Sequence, residues 1–131
     1  MKDINSAICI KGTNGEAIIS GINIEENDTC IVKERYSAFY KTNLEETLHK
    51  QSIQSLIICG INTHACVRTT AIDAFMRDYR VFIPIECIAS YDKEQHDGSV
   101  KYMSKRIARI LSLQEMMDRI KETNYDFQFV E

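Results

Sequence analysis

The sequence has no tryptophan, one proline (Pro84) and five glycines in 131 residues. That composition excludes collagen-like and Pro/Gly-rich disordered chains. No run of about 18 apolar residues is present, so no segment reads as a membrane-spanning helix. The opening residues, MKDINSAICIKG, lack the apolar core of a signal peptide, and the expected location is the cytoplasm. A basic excess is also missing. Sixteen Lys and Arg face nineteen Asp and Glu, for a net charge of −3, which argues against a nucleic-acid partner. The five cysteines are odd in number, form no C-x-x-C pair and match no zinc spacing. Free thiols are expected rather than a disulfide scaffold or a metal site. Nothing repeats at a solenoid period.

What is present is an ordinary globular balance, 44% hydrophobic and 27% charged. The length suits one domain, residues 1–131, with one core.

One stretch organises the rest, Leu56 to Ala74. Residues 55–61 are an apolar run of strand length ended by Gly60 and a polar turn. From Val67 the spacing turns helical, with Ala71, Ala74 and Phe75 at i, i+3 and i+4. Cys66 therefore falls in or just before the first turn of a helix over 66–78. Backbone N–H groups there lack intrahelical partners, and they and the helix dipole favour an anion. The thiolate is the nucleophilic form of cysteine. The bland alternative is that a cysteine after a core strand simply packs.

In chain order, Lys11–Gly15 reads as a loop and Ala17–Ile19 as a single helical turn. Residues 29–33, rich in β-branched side chains and ending at Lys33, read as a strand. A loop with Tyr36, Phe39 and Tyr40 follows. Thr42-Asn43-Leu44-Glu45 has the form of a capping box opening a helix over 43–51. Arg80–Ile85 reads as a strand that Pro84 places at an edge or brings to an end. Asp92 caps a helix over 93–109. Ser112 and Glu115 form a second capping box for a helix to 122, and 125–130 reads as a final edge strand. Strands alternating with helices predict an α/β fold with a mainly parallel sheet. Ligands in such sheets sit beyond the carboxyl ends of the strands, where both Lys33 and the Cys66 turn fall.

The run Gly60-Ile-Asn-Thr-His-Ala-Cys66-Val-Arg-Thr-Thr-Ala-Ile-Asp-Ala74 resembles the nucleophile signature of the isochorismatase-like cysteine hydrolases. That superfamily includes nicotinamidases, carbamoylsarcosine amidase and isochorismatases. Lys11–Ala17 is similar to the family's Gly-Thr loop, and Lys33–Phe39 to the segment carrying its lysine. Asp78–Val81 resembles the end of its nucleophile helix and the next strand. Ser90 and His96 match a serine and a histidine near the following helix. The resemblance spans about residues 11–117.

The resemblance implies a three-layer, Rossmann-like α/β sandwich and an Asp–Lys–Cys triad. It implies Cys66 as nucleophile, Lys33 as its partner and an oxyanion hole from the N–H groups of Ala65 and Cys66. The Ile61–Asn62 bond falls where the family has a non-proline cis peptide. A thiolate attacking an amide carbonyl would release ammonia or an amine, and water would then cleave the thioester. Having the thiol favours a small amide or related C–N bond over the ether-type chemistry of isochorismatases.

The family's aspartate ends a first central strand, in a strand–helix–strand unit that precedes the Gly-Thr loop. Only ten residues precede Lys11 here, and Asp3 has no strand leading into it, whereas such a unit takes about 30 residues or more. The expectation is the C-terminal two thirds of the fold, with no metal, no cofactor and an open apolar sheet edge. Such an edge invites self-association or a partner chain that supplies the missing strand. The rival reading is a catalytically silent remnant, or one half of a split enzyme. His64, Tyr36 and Phe39 are candidate substrate-lining residues. Arg68 and Asp73 are expected to form surface or interface ion pairs. A thiol-redox protein using Cys59, Cys66 or Cys87 ranks last for want of a C-x-x-C pair.

Overall fold

The computed structural model describes residues 9–122. The chain divides into two compact units, Met1–Cys30 and Ile31–Glu131. In the first, the described residues are exposed. A short 3-10 turn, Asn14–Glu16, is capped by the Thr13 hydroxyl, which accepts from the Gly15 N–H. The Gly12 N–H donates to Glu16 Oε1 at 2.7 Å, and Gly12 itself adopts φ 81°, which suits a residue without Cβ. The helical turn expected at 17–19 is thus three residues earlier, where Thr13 can cap it.

The second unit is a parallel α/β layer structure. Its elements are α1 (Leu44–Lys50), β1 (Ser55–Ile57), β2 (Gly60–Ile61) and a π-helical turn over Thr63–Val67. Then come α2 (Arg68–Phe75), β3 (Arg80–Pro84), a 3-10 turn Ile85–Cys87, β4 (Ile88–Ala89), α3 (Lys93–Arg106), β5 (Arg109–Leu111) and α4 (Leu113–Lys121). One sheet has the order β1-β3-β5 and a smaller ladder joins β2 to β4, with all pairings parallel. Alternation along β3 explains the layers. Val81 and Ile83 join Val67, Ala71 and Ala74 before and within α2, and Met103 of α3, in the main core. Phe82 points to the opposite face, against Leu111 and Met116 of α4.

Several expected boundaries move, each for a physical reason. Residues 29–33 form no strand. They pair with no strand among the described residues, and β-propensity without a ladder partner does not make a strand. The run 55–61 breaks at Ile58-Cys59, because Gly60 (φ 131°) turns the chain from one ladder to the other. β3 is central rather than at an edge, and Pro84 is its last residue, where the missing N–H ends the pairing. The helix expected to reach 109 stops at Arg106. Residues 109–111 pair with 82–84 instead, long-range pairing overriding a short helical pattern. The helix expected over 66–78 ends at Phe75, with Asp78 at φ 63° turning the chain into β3.

Of the two capping boxes, the one at Ser112 and Glu115 forms in full. The one at Thr42 and Glu45 does not. Asn43 occupies the cap without a side-chain bond, and Glu45 pairs with Arg77 at 3.1 Å. Asp92 caps α3 by accepting from the Gln95 N–H. The strand expected at 125–130 and Asp3 lie outside the described residues. No helix among those residues is long and apolar enough to cross a membrane.

Candidate active site

The turn between β2 and α2 carries Cys66. The Ile61–Asn62 peptide is cis, and Asn62, extended at φ −92° and ψ 142°, precedes the π-helical turn in which Cys66 is the fourth residue. The Asn62 carbonyl accepts from the N–H groups of Ala65 (3.1 Å) and Val67 (3.2 Å). Cys66 thus sits, as expected, just ahead of the helix, in a wide helical turn that runs straight into α2. The Ala65 N–H already has an acceptor, which an oxyanion would have to share or displace.

Lys33 meets Cys66. Its Nζ lies 3.5 Å from the Cys66 Sγ and donates to the Arg35 carbonyl at 3.0 Å. The segment between them in space is stapled to α2. The Ala38 N–H donates to Thr70 Oγ1 at 3.1 Å, and Thr70 Oγ1 donates to the Tyr36 carbonyl at 3.5 Å. The buried Ser37 hydroxyl donates to Asp73 and accepts from the Phe39 N–H at 3.1 Å. Arg77 completes the staple, with its guanidinium 4.8 Å from the Phe39 ring centroid and its Nη1 3.7 Å from the Asp73 carboxylate.

This network was not legible in the sequence. Asp73 was expected to be a surface ion-pair residue, and it holds Ser37 as well as Arg77. The available signal was spacing, since Cys66, Thr70, Asp73 and Arg77 recur at i, i+4, i+7 and i+11. Arg68 makes no ion pair among the described residues and lies 4.4 Å over the Tyr102 ring.

Cys66 and Lys33 open onto a groove of about 350 Å³. Its walls are largely apolar, including Phe39, Leu44, Leu56, Ile58 and Cys59, with Thr70 as a polar group. Among the described residues, no carboxylate lines it. Phe39 is buried in this wall and stacks on Tyr79 at 6.0 Å. Tyr36 is 63% exposed and does not line the groove. His64 is turned away as well. Its Nδ1 is 2.9 Å from Ser90 Oγ and its ring meets Tyr91 edge-on at 5.2 Å. It borders a second, more polar depression with Arg68, Gln95, Ser99 and Tyr102. His96 Nδ1 lies 2.9 Å from the hydroxyl of Thr63, which is fully buried.

A thiol beside an ammonium, in an apolar groove at the carboxyl ends of parallel strands, is suited to covalent attack on a polarised carbonyl. Residues 2–115 match the model of the isochorismatase domain. The chain belongs to the isochorismatase family. It is 34% identical to enterobactin synthase component B of Escherichia coli K12 over 102 residues, which is 78% of this chain and 36% of that protein. It is 30% identical to nicotinamidase 3 of Arabidopsis thaliana, over 86% of this chain and 58% of that one. An isochorismatase-like hydrolase from Alkaliphilus metalliredigens superposes with a TM-score of 0.84 at 26% identity, over 88% of this chain and 63% of that chain. N-carbamoylsarcosine amidase from Thermoplasma acidophilum superposes at 0.72 and 29% identity, over 82% and 61%. This isochorismatase-family chain therefore spans between about a third and two thirds of the length of these relatives.

Proposed function

We propose that this chain carries the nucleophile half of a cysteine hydrolase that cleaves a small amide or related C–N bond. The observation behind it is the 3.5 Å approach of Lys33 Nζ to Cys66 Sγ at the groove floor. A cation beside the sulfur is a setting in which cysteines act as nucleophiles. The thiolate attacks the carbonyl carbon, and N–H groups of the turn, that of Cys66 and a shared Ala65, receive the developing oxyanion. The C–N bond breaks, the amine leaves with a proton, and water then hydrolyses the thioester. The reading requires no metal or organic cofactor.

Both proton steps call for an acid–base group, and among the described residues no carboxylate lines the groove. A second copy or a partner chain would supply it. Among the described residues β1 pairs only with β3, and its other edge suits that role, with Ile57 of β1 at 46% and Ile61 of β2 at 70% exposure. The same lack of a carboxylate favours a second reading, in which the chain alone binds a small molecule or assembles with a partner and does not turn over.

The experiment is ammonia release from a panel of small primary amides, nicotinamide and N-carbamoyl amino acids among them, with Cys66→Ser as the control. Release that Cys66→Ser abolishes supports the hydrolase. No release, with no thioester on Cys66 by intact mass, overturns it in favour of the silent module.

A further inference from the structure

The catalytic reading leaves two cysteines of the second unit unused, Cys59 and Cys87. The β2–β4 ladder pairs Gly60 with Ile88 and Ile61 with Ala89 in parallel register. Cys59 and Cys87 each immediately precede a paired residue, Gly60 and Ile88, with Cys87 closing the 3-10 turn that leads into β4. Adjacent strands run about 4.8 Å apart, and disulfides span Cα separations of about 4.4–6.8 Å. The two thiols lie close enough for each to disfavour charge on the other. Both are free, with Cys59 exposed and Cys87 half-buried. Cys59 also lines the groove that holds Cys66.

We propose that Cys59 and Cys87 form a second thiol site, a dithiol that hydrogen peroxide converts reversibly to a disulfide. The thiolate of one attacks a peroxide oxygen. The O–O bond breaks, a sulfenic acid forms and hydroxide leaves, taking up the proton that the thiol gave away. The second sulfur then attacks the sulfenic sulfur. The S–S bond forms, and the departing hydroxide takes the second thiol's proton. Two thiols and one peroxide give one disulfide and two waters, with two electrons passing to the peroxide. The bond closes the end of the β2–β4 ladder and stiffens the groove wall on the Cys59 side.

Burial and the neighbouring Cys87 hold the Cys59 thiol above its usual range. Thiolate is scarcer there than at an unperturbed cysteine at neutral pH, so oxidation of the pair accelerates as pH rises. Adjacency in the fold, rather than a C-x-x-C spacing, makes the pair.

The test is peptide mapping of the reduced full chain after stoichiometric hydrogen peroxide, with remaining thiols blocked by iodoacetamide. The expected result is a Cys59–Cys87 cross-linked peptide as the main disulfide, reversed by dithiothreitol, with Cys9 and Cys30 blocked as free thiols. Cys87→Ser removes the cross-link and leaves Cys59 open to the reagent. Cys66→Ser retains the cross-link, which separates this site from the nucleophile, and the readout does not depend on hydrolysis. Independent blocking of Cys59 and Cys87 after peroxide, or a main disulfide that includes Cys66, overturns the proposal.

Discussion

The staple between α2 and the Lys33 segment makes a quantitative prediction. Asp73→Ala removes the acceptor of the Ser37 hydroxyl and one partner of Arg77. Ser37 is 4% exposed, so its donor is left inside without water. A hydrogen bond to a charged acceptor contributes about 1.5–3 kcal/mol, and an orphaned buried donor costs about 1–3 kcal/mol. The Arg77 pair adds little, since both side chains are about one third exposed and such pairs contribute about 0–1 kcal/mol. The expected loss is about 2–3 kcal/mol in urea unfolding. With a slope of roughly 1–3 kcal/mol per molar, the midpoint falls by about 0.7–3 M. Ser37→Ala costs less on top of Asp73→Ala than in the natural chain, because the Ser37–Asp73 bond is already gone and only the Phe39 N–H then loses its acceptor. Lys33 is positioned by the same segment, so Asp73→Ala also slows Cys66 alkylation. A loss below about 0.5 kcal/mol, or strict additivity of the two substitutions, refutes this account of the staple.

Three further outcomes follow from the packing and the caps. Met103→Ala, at a fully buried position between α3 and β3, costs about 2–5 kcal/mol in urea unfolding. Tyr79→Phe is neutral or stabilising by up to about 1 kcal/mol by the same measurement, because the buried Tyr79 hydroxyl has no hydrogen-bond partner among the described residues. A bond from the Gln95 backbone N–H holds the Asp92 carboxyl below its usual range, and one from Ser112 does the same for Glu115. Their stabilisation of α3 and α4 is complete above the unfolded carboxylate pKa of about 4 and is lost as pH falls through the lower folded values. Asp92→Asn therefore flattens the acid limb of a stability–pH profile.

The Cys66 turn was legible because its signal is local. An apolar run, a glycine and then helical spacing place Cys66 between strand and helix. The π-helical form of that turn was not legible, since no residue type marks a wide turn. β5 was hidden for a different reason. Arg109-Ile110-Leu111 continues the apolar spacing of α3, and only the long-range pairing with β3 makes it a strand. Residues 29–33 show the converse, a strand composition without a ladder partner. Thr42 and Glu45 had the spacing of a cap, but Arg77 lies far along the chain and competes for Glu45. Cys59 and Cys87 could be found only once the β2–β4 register was known.

The central claim is that Lys33 and Cys66 work as a pair. The most direct measurement is the rate of iodoacetamide capture at each cysteine near neutral pH, resolved by mass spectrometry, in the natural chain and in Lys33→Ala. Even with the dielectric of water, an ammonium 3.5 Å from a sulfur that reacts as an anion contributes about 1 kcal/mol, roughly fivefold in rate. The account predicts that Cys66 reacts ahead of the more exposed Cys9 and Cys30, and that Lys33→Ala slows it about fivefold while leaving those two unchanged. A Cys66 no faster than Cys9 and Cys30, and indifferent to Lys33→Ala, would contradict it.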